Sequence, residues 1–89
     1  ARRGEANFNA RLYENAIVDY TRAVTTAQAL SQTITANDYI FYGFAYFNVS
    51  ADNCPQAVEA WRKALTLMPA SDYVQEYTAS GFRKCKVAR

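Results

Sequence analysis

The chain has 89 residues, enough for one domain and too few for two, since separate cores become marginal below roughly 60 residues each. An apolar fraction of 51% with 20% charged residues excludes a solvated disordered tail, and three Gly with two Pro are too few for the repeated tight turns of a sandwich or barrel. Ten basic against eight acidic residues give a formal charge of +2, far from the basic footprint of a nucleic-acid binder. No stretch approaches the roughly 18 apolar residues of a membrane span, and Ala1-Arg2-Arg3-Gly4 lacks a signal-peptide apolar segment. The expectation is a soluble chain with no nucleic-acid partner and no membrane insertion. It opens without Met and in mid-pattern, as an excised domain or a processed form would.

From Tyr13 onward Ala16, Ile17, Tyr20, Ala23, Val24 and Ala27 recur at steps of three and four, which predicts an amphipathic helix reaching Ala29 or Leu30. Ser31 to Ala36 is rich in hydroxyl and β-branched residues with poor helix propensity and reads as a connector. Asn37-Asp38 then offers a cap and a first-turn carboxylate for a helix over Asp38 to Asn48. That helix is apolar nearly all round, so it must be covered on more than one side. Val49 to Cys54 breaks it, and Pro55 suits the first position of the next helix because its missing N–H has no partner there anyway. Ala57, Val58, Trp61, Ala64, Leu65 and Leu67 form the apolar face of that helix, and Met68-Pro69 ends it. Ser71-Asp72 starts a last helix with Tyr73, Val74, Tyr77, Gly81 and Phe82 on one face.

Tyr13 to Val24 aligns with Cys54 to Leu65, with Ala, an aromatic, a basic residue and Ala at the same offsets in both. Each segment follows a shorter helix containing a glycine, Gly4 or Gly43, so the unit is a helical hairpin occurring twice, and stacked hairpins bury a continuous core. Tyr39, Tyr42, Gly43, Ala45 and Tyr46, followed by Ala57, Trp61, Ala64 and Pro69, resemble the tetratricopeptide repeat family. The first unit resembles it through Gly4, Phe8, Tyr13, Ala16, Tyr20 and Ala23, with Gln28 where the closing Pro would stand. The resemblance implies an all-α superhelix of stacked hairpins with about five helices: repeat one over 1–30, a connector over 31–37, repeat two over 38–69 and a capping helix over 71–87. Spacing departs from the family, because Ala16 and Ala57 are 41 residues apart against a period of about 34. Two of the extra residues fall in the Val49 to Cys54 turn and five in the linker from Leu30 to Asn37.

The family receives a peptide on a concave face built mostly by the first helix of each hairpin. By alignment that face would present Glu5, Phe8, Asn9, Asn37, Ile40, Phe44, Phe47, Asn48, Glu76 and Arg83. Ile40, Phe44 and Phe47 would make an apolar strip, which marks a contact site if exposed and becomes core if the linker or last helix folds over it. The family's carboxylate clamp for chaperone tails is not expected, since Glu5 and Phe41 replace its asparagines. The hairpin packing it implies also brings Cys54 and Cys85 to one end of the stack, where they are either a disulfide or two unrelated thiols. A bond would point to an oxidising, extracytoplasmic compartment. Two Cys without His do not complete a zinc site, and with His 0 and no Gly-rich phosphate loop neither catalysis nor a cofactor is expected. Arg83, Lys84, Lys86 and Arg89 form a basic cluster, but cations at a helix C-terminus are favourable without any ligand. The function expected is a protein-protein interaction module for a partner protein or peptide. The alternative is a stacking or self-associating unit, within a longer array or a homo-oligomer.

Overall fold

The computed structural model describes residues 2–30 and 34–86, with only the backbone of Arg2 and Arg3. Ser31, Gln32 and Thr33 of the expected connector, residue 87 of the expected capping helix and Arg89 of the basic cluster lie outside the described residues. Five α-helices follow in order: α1 Arg2–Asn9, α2 Tyr13–Ala29, α3 Ala36–Val49, α4 Cys54–Leu67 and α5 Asp72–Lys84, with a single 3-10 turn, Ala51–Asn53, between α3 and α4. The described residues are all-α with five helices, which agrees with the expected all-α fold of about five helices.

Local chemistry sets the boundaries, and in two places it differs from the sequence reading. Helix α3 starts at Ala36, two residues early, because Thr35 is extended and its Oγ1 accepts the Asp38 N–H at 3.2 Å. Thr35 therefore caps the helix, and Asn37 is left for a tertiary contact. Helix α4 starts at Cys54, with Pro55 inside its first turn. Asn53 does not cap α4; its Nδ2 donates back to the Tyr46 carbonyl at 3.2 Å and holds the end of α3. The Ser71 hydroxyl accepts from the Val74 N–H and caps α5 as expected.

Helices α1 and α2 pack as one hairpin, α3 and α4 as a second, and α5 lies against both α3 and α4. The aligned positions occupy matching places: Ala16 and Ala57 are fully buried, as are Tyr20 and Trp61. Trp61 is the centre of the second hairpin. Its Nε1 donates to the Ile40 carbonyl at 3.2 Å, and Phe44 and Phe82 lie at ring distances of 5.0 and 6.0 Å. Glycines let two backbones close on the indole: a Cβ at Gly43 would overlap its pyrrole edge, and one at Gly81 would lie 2.7 Å from its benzo ring. Burying an indole this completely contributes about 4 to 6 kcal/mol by area.

Cys54 and Cys85 are bonded, with Cα atoms 5.7 Å apart across 31 residues of sequence. The start of α4 is thereby tied to the residue that follows α5. In the chain-entropy model a loop of this length contributes about 3.5 to 4 kcal/mol. No helix among the described residues is long and apolar enough to cross a membrane.

Candidate functional site

Helices α1, α3 and α5 share one side of the molecule, and contacts between their side chains define its surface. Phe8 of α1 packs on Phe41 of α3 with ring centroids 5.0 Å apart. Tyr73 of α5 donates its hydroxyl to Asn37 Oδ1 of α3 at 2.8 Å. Near the other end of α5, the Lys84 ammonium lies 5.5 Å from the Phe44 ring centroid. Both contacts join like parts of α3 and α5, so these two helices run in the same direction along this face.

On α5 the residues 73, 77, 80 and 84 form a single stripe at helical spacing. Tyr73 and Tyr77 pack with centroids 4.6 Å apart and their ring planes tilted by 46°, yet remain 47% and 45% exposed. Two large rings in contact with each other and still open to solvent leave an exposed aromatic patch. The Tyr73 hydroxyl is pushed above its ordinary ionisation range by burial first, then by Tyr77, then by the Glu5 carboxylate.

The sequence-predicted residues are distributed unevenly around this face. Glu5, Asn9 and Asn48 are exposed, Asn37 and Phe8 are half-buried, and Asn48 Nδ2 donates to the Phe44 carbonyl at 2.8 Å. Ile40 is a correction: it is 1% exposed and packs with Ala36, Ala64 and Val74. Phe44 and Phe47 are half-buried against the cluster of Ala57, Val58, Trp61 and Phe82. The physical reason is α5, whose Val74 and Phe82 cover this part of α3, so of the two alternatives for the strip the packing favours core. Glu76 and Arg83 are exposed, but they lie on the side of α5 opposite its buried stripe of Val74, Thr78, Gly81 and Phe82. Tyr73, Tyr77 and Lys84 take the place on this face that alignment gave to Glu76 and Arg83. The sequence carried the signal for them in the i, i+4, i+11 spacing of the two tyrosines and the lysine.

A groove lies on the opposite side of α3, between α2 and α4, and Tyr39, Tyr42 and Tyr46 line it. Two cavities of about 250 and 150 Å³ follow this groove, with Val24 and Lys63 among their walls. The Tyr42 hydroxyl is 2.6 Å from Thr21 Oγ1 and 3.2 Å from the Tyr46 hydroxyl. Burial first, then the Tyr42 hydrogen bond, pushes Tyr46 up to about 12. Lys63 pairs with Glu59 at 3.6 Å and lies 5.9 Å from the Tyr39 ring centroid.

No protein family, curated protein or solved structure matches this chain. What the α1–α3–α5 face can do therefore rests on its own chemistry. It offers exposed aromatic surface, amide groups from Asn37 and Asn48, a carboxylate on α1 and an ammonium on α5. That set can hold the backbone and side chains of another polypeptide by stacking and hydrogen bonding. Among the described residues there is no group of three or more His, Cys, Asp or Glu that could hold a metal ion.

Proposed function

We propose that this chain is a protein-binding module of the tetratricopeptide type, which takes an extended segment of a partner protein on the face made by α1, α3 and α5. The observation that carries this reading is the tilted, contacting Tyr73–Tyr77 pair, nearly half-exposed and flanked by Asn37 and by Lys84 over Phe44. Tyrosine supplies a large contact area with little rotamer entropy to lose, which makes it an efficient binding anchor. The carboxylate-clamp variety of the family is not supported, because Glu5 and Phe41 occupy the positions of its asparagines. A stacking unit within a longer array is the competing reading. It is disfavoured by the outer side of the first hairpin, where Asn7, Asn15, Asp19 and Arg22 line a cavity and Asn7 donates to Asp19. A neighbouring hairpin would have to desolvate those groups.

Selection of binders from a displayed random-peptide library tests the proposal. The expected outcome is peptides with micromolar Kd for the native protein that lose at least tenfold in affinity for a Tyr73→Ala, Tyr77→Ala variant with unchanged far-UV CD. Selected peptides that bind both proteins equally would remove the assignment of this face. Sedimentation at several concentrations tests the self-associating form of the competing reading, which a strictly monomeric, folded protein argues against.

A further inference from the structure

The groove between α2 and α4 is separate from the α1–α3–α5 face, and its walls change character along its length. Its two cavities, about 250 and 150 Å³, share Val24, Tyr39 and Lys63 as walls. The larger lies toward the C-terminal ends of α2 and α4, where Ala27, Gln28, Ile34, Thr66 and Leu67 complete it. Lys63 is the single charged residue among its described walls. The smaller cavity runs the other way, toward Tyr46 and Gln56, and has Glu59 in its wall.

The larger cavity is apolar on most sides. Ala27 is buried, Ile34 and Tyr39 are half-buried, and Leu67 is still 39% exposed. A hydrocarbon chain laid here would take that apolar surface out of water. Thr66 commits its hydroxyl proton to the Arg62 carbonyl at 3.0 Å, so Lys63, Gln28 and Tyr39 carry the side-chain donors that remain. The Lys63 ammonium lies 5.9 Å from the Tyr39 ring centroid and 3.6 Å from a Glu59 carboxylate oxygen. Both side chains of that ion pair are well exposed, 48% for Lys63 and 70% for Glu59. Such a pair contributes little, and a ligand carboxylate can share the ammonium. One ammonium balances a monoanion, while Glu59 repels an anion that moves on into the smaller cavity. An anionic head therefore stops at Lys63, and its tail runs toward Leu67. Volume sets the length: at about 30 Å³ per heavy-atom group, the share of a water in the liquid, the larger cavity takes about eight groups.

We propose that the larger cavity binds a single-chain carboxylate of about eight carbons, a medium-chain fatty acid, with its carboxylate on Lys63 and its alkyl chain against Ala27, Ile34 and Leu67. This site is independent of the peptide-binding role proposed above.

Sodium octanoate, sodium hexanoate and the neutral octane-1,2-diol are titrated into the intact, disulfide-bonded, isotope-labelled protein, and chemical shifts are followed by NMR. Octanoate is expected to shift Ile34, Lys63 and Leu67 with a Kd of about 1 mM or below, the range for about ten heavy atoms at ordinary ligand efficiency. Hexanoate, two methylenes shorter, should bind about tenfold weaker. The diol should bind about threefold weaker than octanoate, the difference made by one exposed ion pair. Lys63→Gln, at an exposed position that the core does not use, should bring octanoate down to the level of the diol and leave the diol unchanged. Equal Kd for octanoate and the diol, or an octanoate Kd that Lys63→Gln does not alter, overturns the carboxylate head. No shifts at about 10 mM octanoate, ten times the expected Kd, or shifts confined to the Tyr73–Tyr77 face, overturn the site.

Discussion

Alanine in place of Gly43 gives a sharp test of how the second hairpin is packed. In a solvent-exposed helix this change stabilises by about 1 kcal/mol, through helix propensity alone. Here the new Cβ would overlap Nε1 of the Trp61 indole and lie 2.7 Å from its Cδ1 and Cε2. The ring has nowhere to retreat. It is fully buried, its Nε1 is bonded to the Ile40 carbonyl, and on the α5 side Gly81 closes in, so that a Cβ there would also be 2.7 Å from it. Overpacking of this kind costs about 3 kcal/mol at the upper end of its usual range, leaving a net loss of about 2 kcal/mol after propensity. For a domain of this size that lowers Tm by roughly 8 to 16 °C. Thermal unfolding followed by CD at 222 nm measures it, and a double-mutant cycle with Trp61→Phe assigns it. In the Trp61→Phe background the pyrrole edge is gone, so most of the Gly43→Ala penalty should vanish, a coupling of at least about 1 kcal/mol. A Gly43→Ala protein that melts higher than the native one would refute the close approach of α3 to the indole.

Four further outcomes follow from the same contacts. Replacing Cys54 and Cys85 with Ser should lower stability to urea by about 3.5 to 4 kcal/mol, and an unchanged urea midpoint would mean the bond constrains nothing. Tyr46 is raised to about 12 by burial and its Tyr42 hydrogen bond, so it keeps its proton in the folded state while the unfolded chain loses it near pH 10. Stability from this group is complete below about pH 10 and is lost as pH rises from 10 to 12. Tyr46→Phe should flatten that alkaline decline in Tm, and an identical decline in the variant contradicts the assignment. Thr35→Ala should cost about 1 kcal/mol through loss of the α3 cap, whereas Asn37→Ala leaves that cap intact. The reverse order of Tm values would restore Asn37 as the cap. The Tyr20 hydroxyl is buried without a hydrogen-bond partner among the described residues, and such a group costs about 1 to 3 kcal/mol. Tyr20→Phe should therefore be neutral or raise Tm, and a marked fall would reveal a partner.

Much of this fold was legible in the order of residues. Helical spacing located α2, α4 and α5 within a few residues, because an amphipathic helix writes its buried face directly into the chain at steps of three and four. The nearly uniform apolarity of α3 stated that it would be covered on more than one side, and α1, α2, α4 and α5 all touch it. The pairing of Ala16 with Ala57 and of Tyr20 with Trp61 was likewise readable, since two hairpins solving one packing problem repeat the residues that solve it. Cap assignment was less legible: Thr35, Asn37 and Asp38 are all chemically able to cap, and only the backbone turn at Thr35 selects among them.

The candidate face divides along the same line. The sequence by itself determined that aromatic and polar residues would share the first helices of the hairpins, and it brought Cys54 and Cys85 together as one of two alternatives. The tertiary structure alone decided the rotation of α5. A helix can bury any of several adjacent stripes, and the difference between presenting Glu76 with Arg83 and presenting Tyr73, Tyr77 and Lys84 is less than a third of a turn. That rotation is set by Gly81 and Phe82 fitting against Trp61 and by Val74 entering the cluster around Ile40, contacts between residues far apart in the chain. The same contacts buried Ile40 and left the two tyrosines in solvent, because a ring covered by one neighbour is no longer available to another.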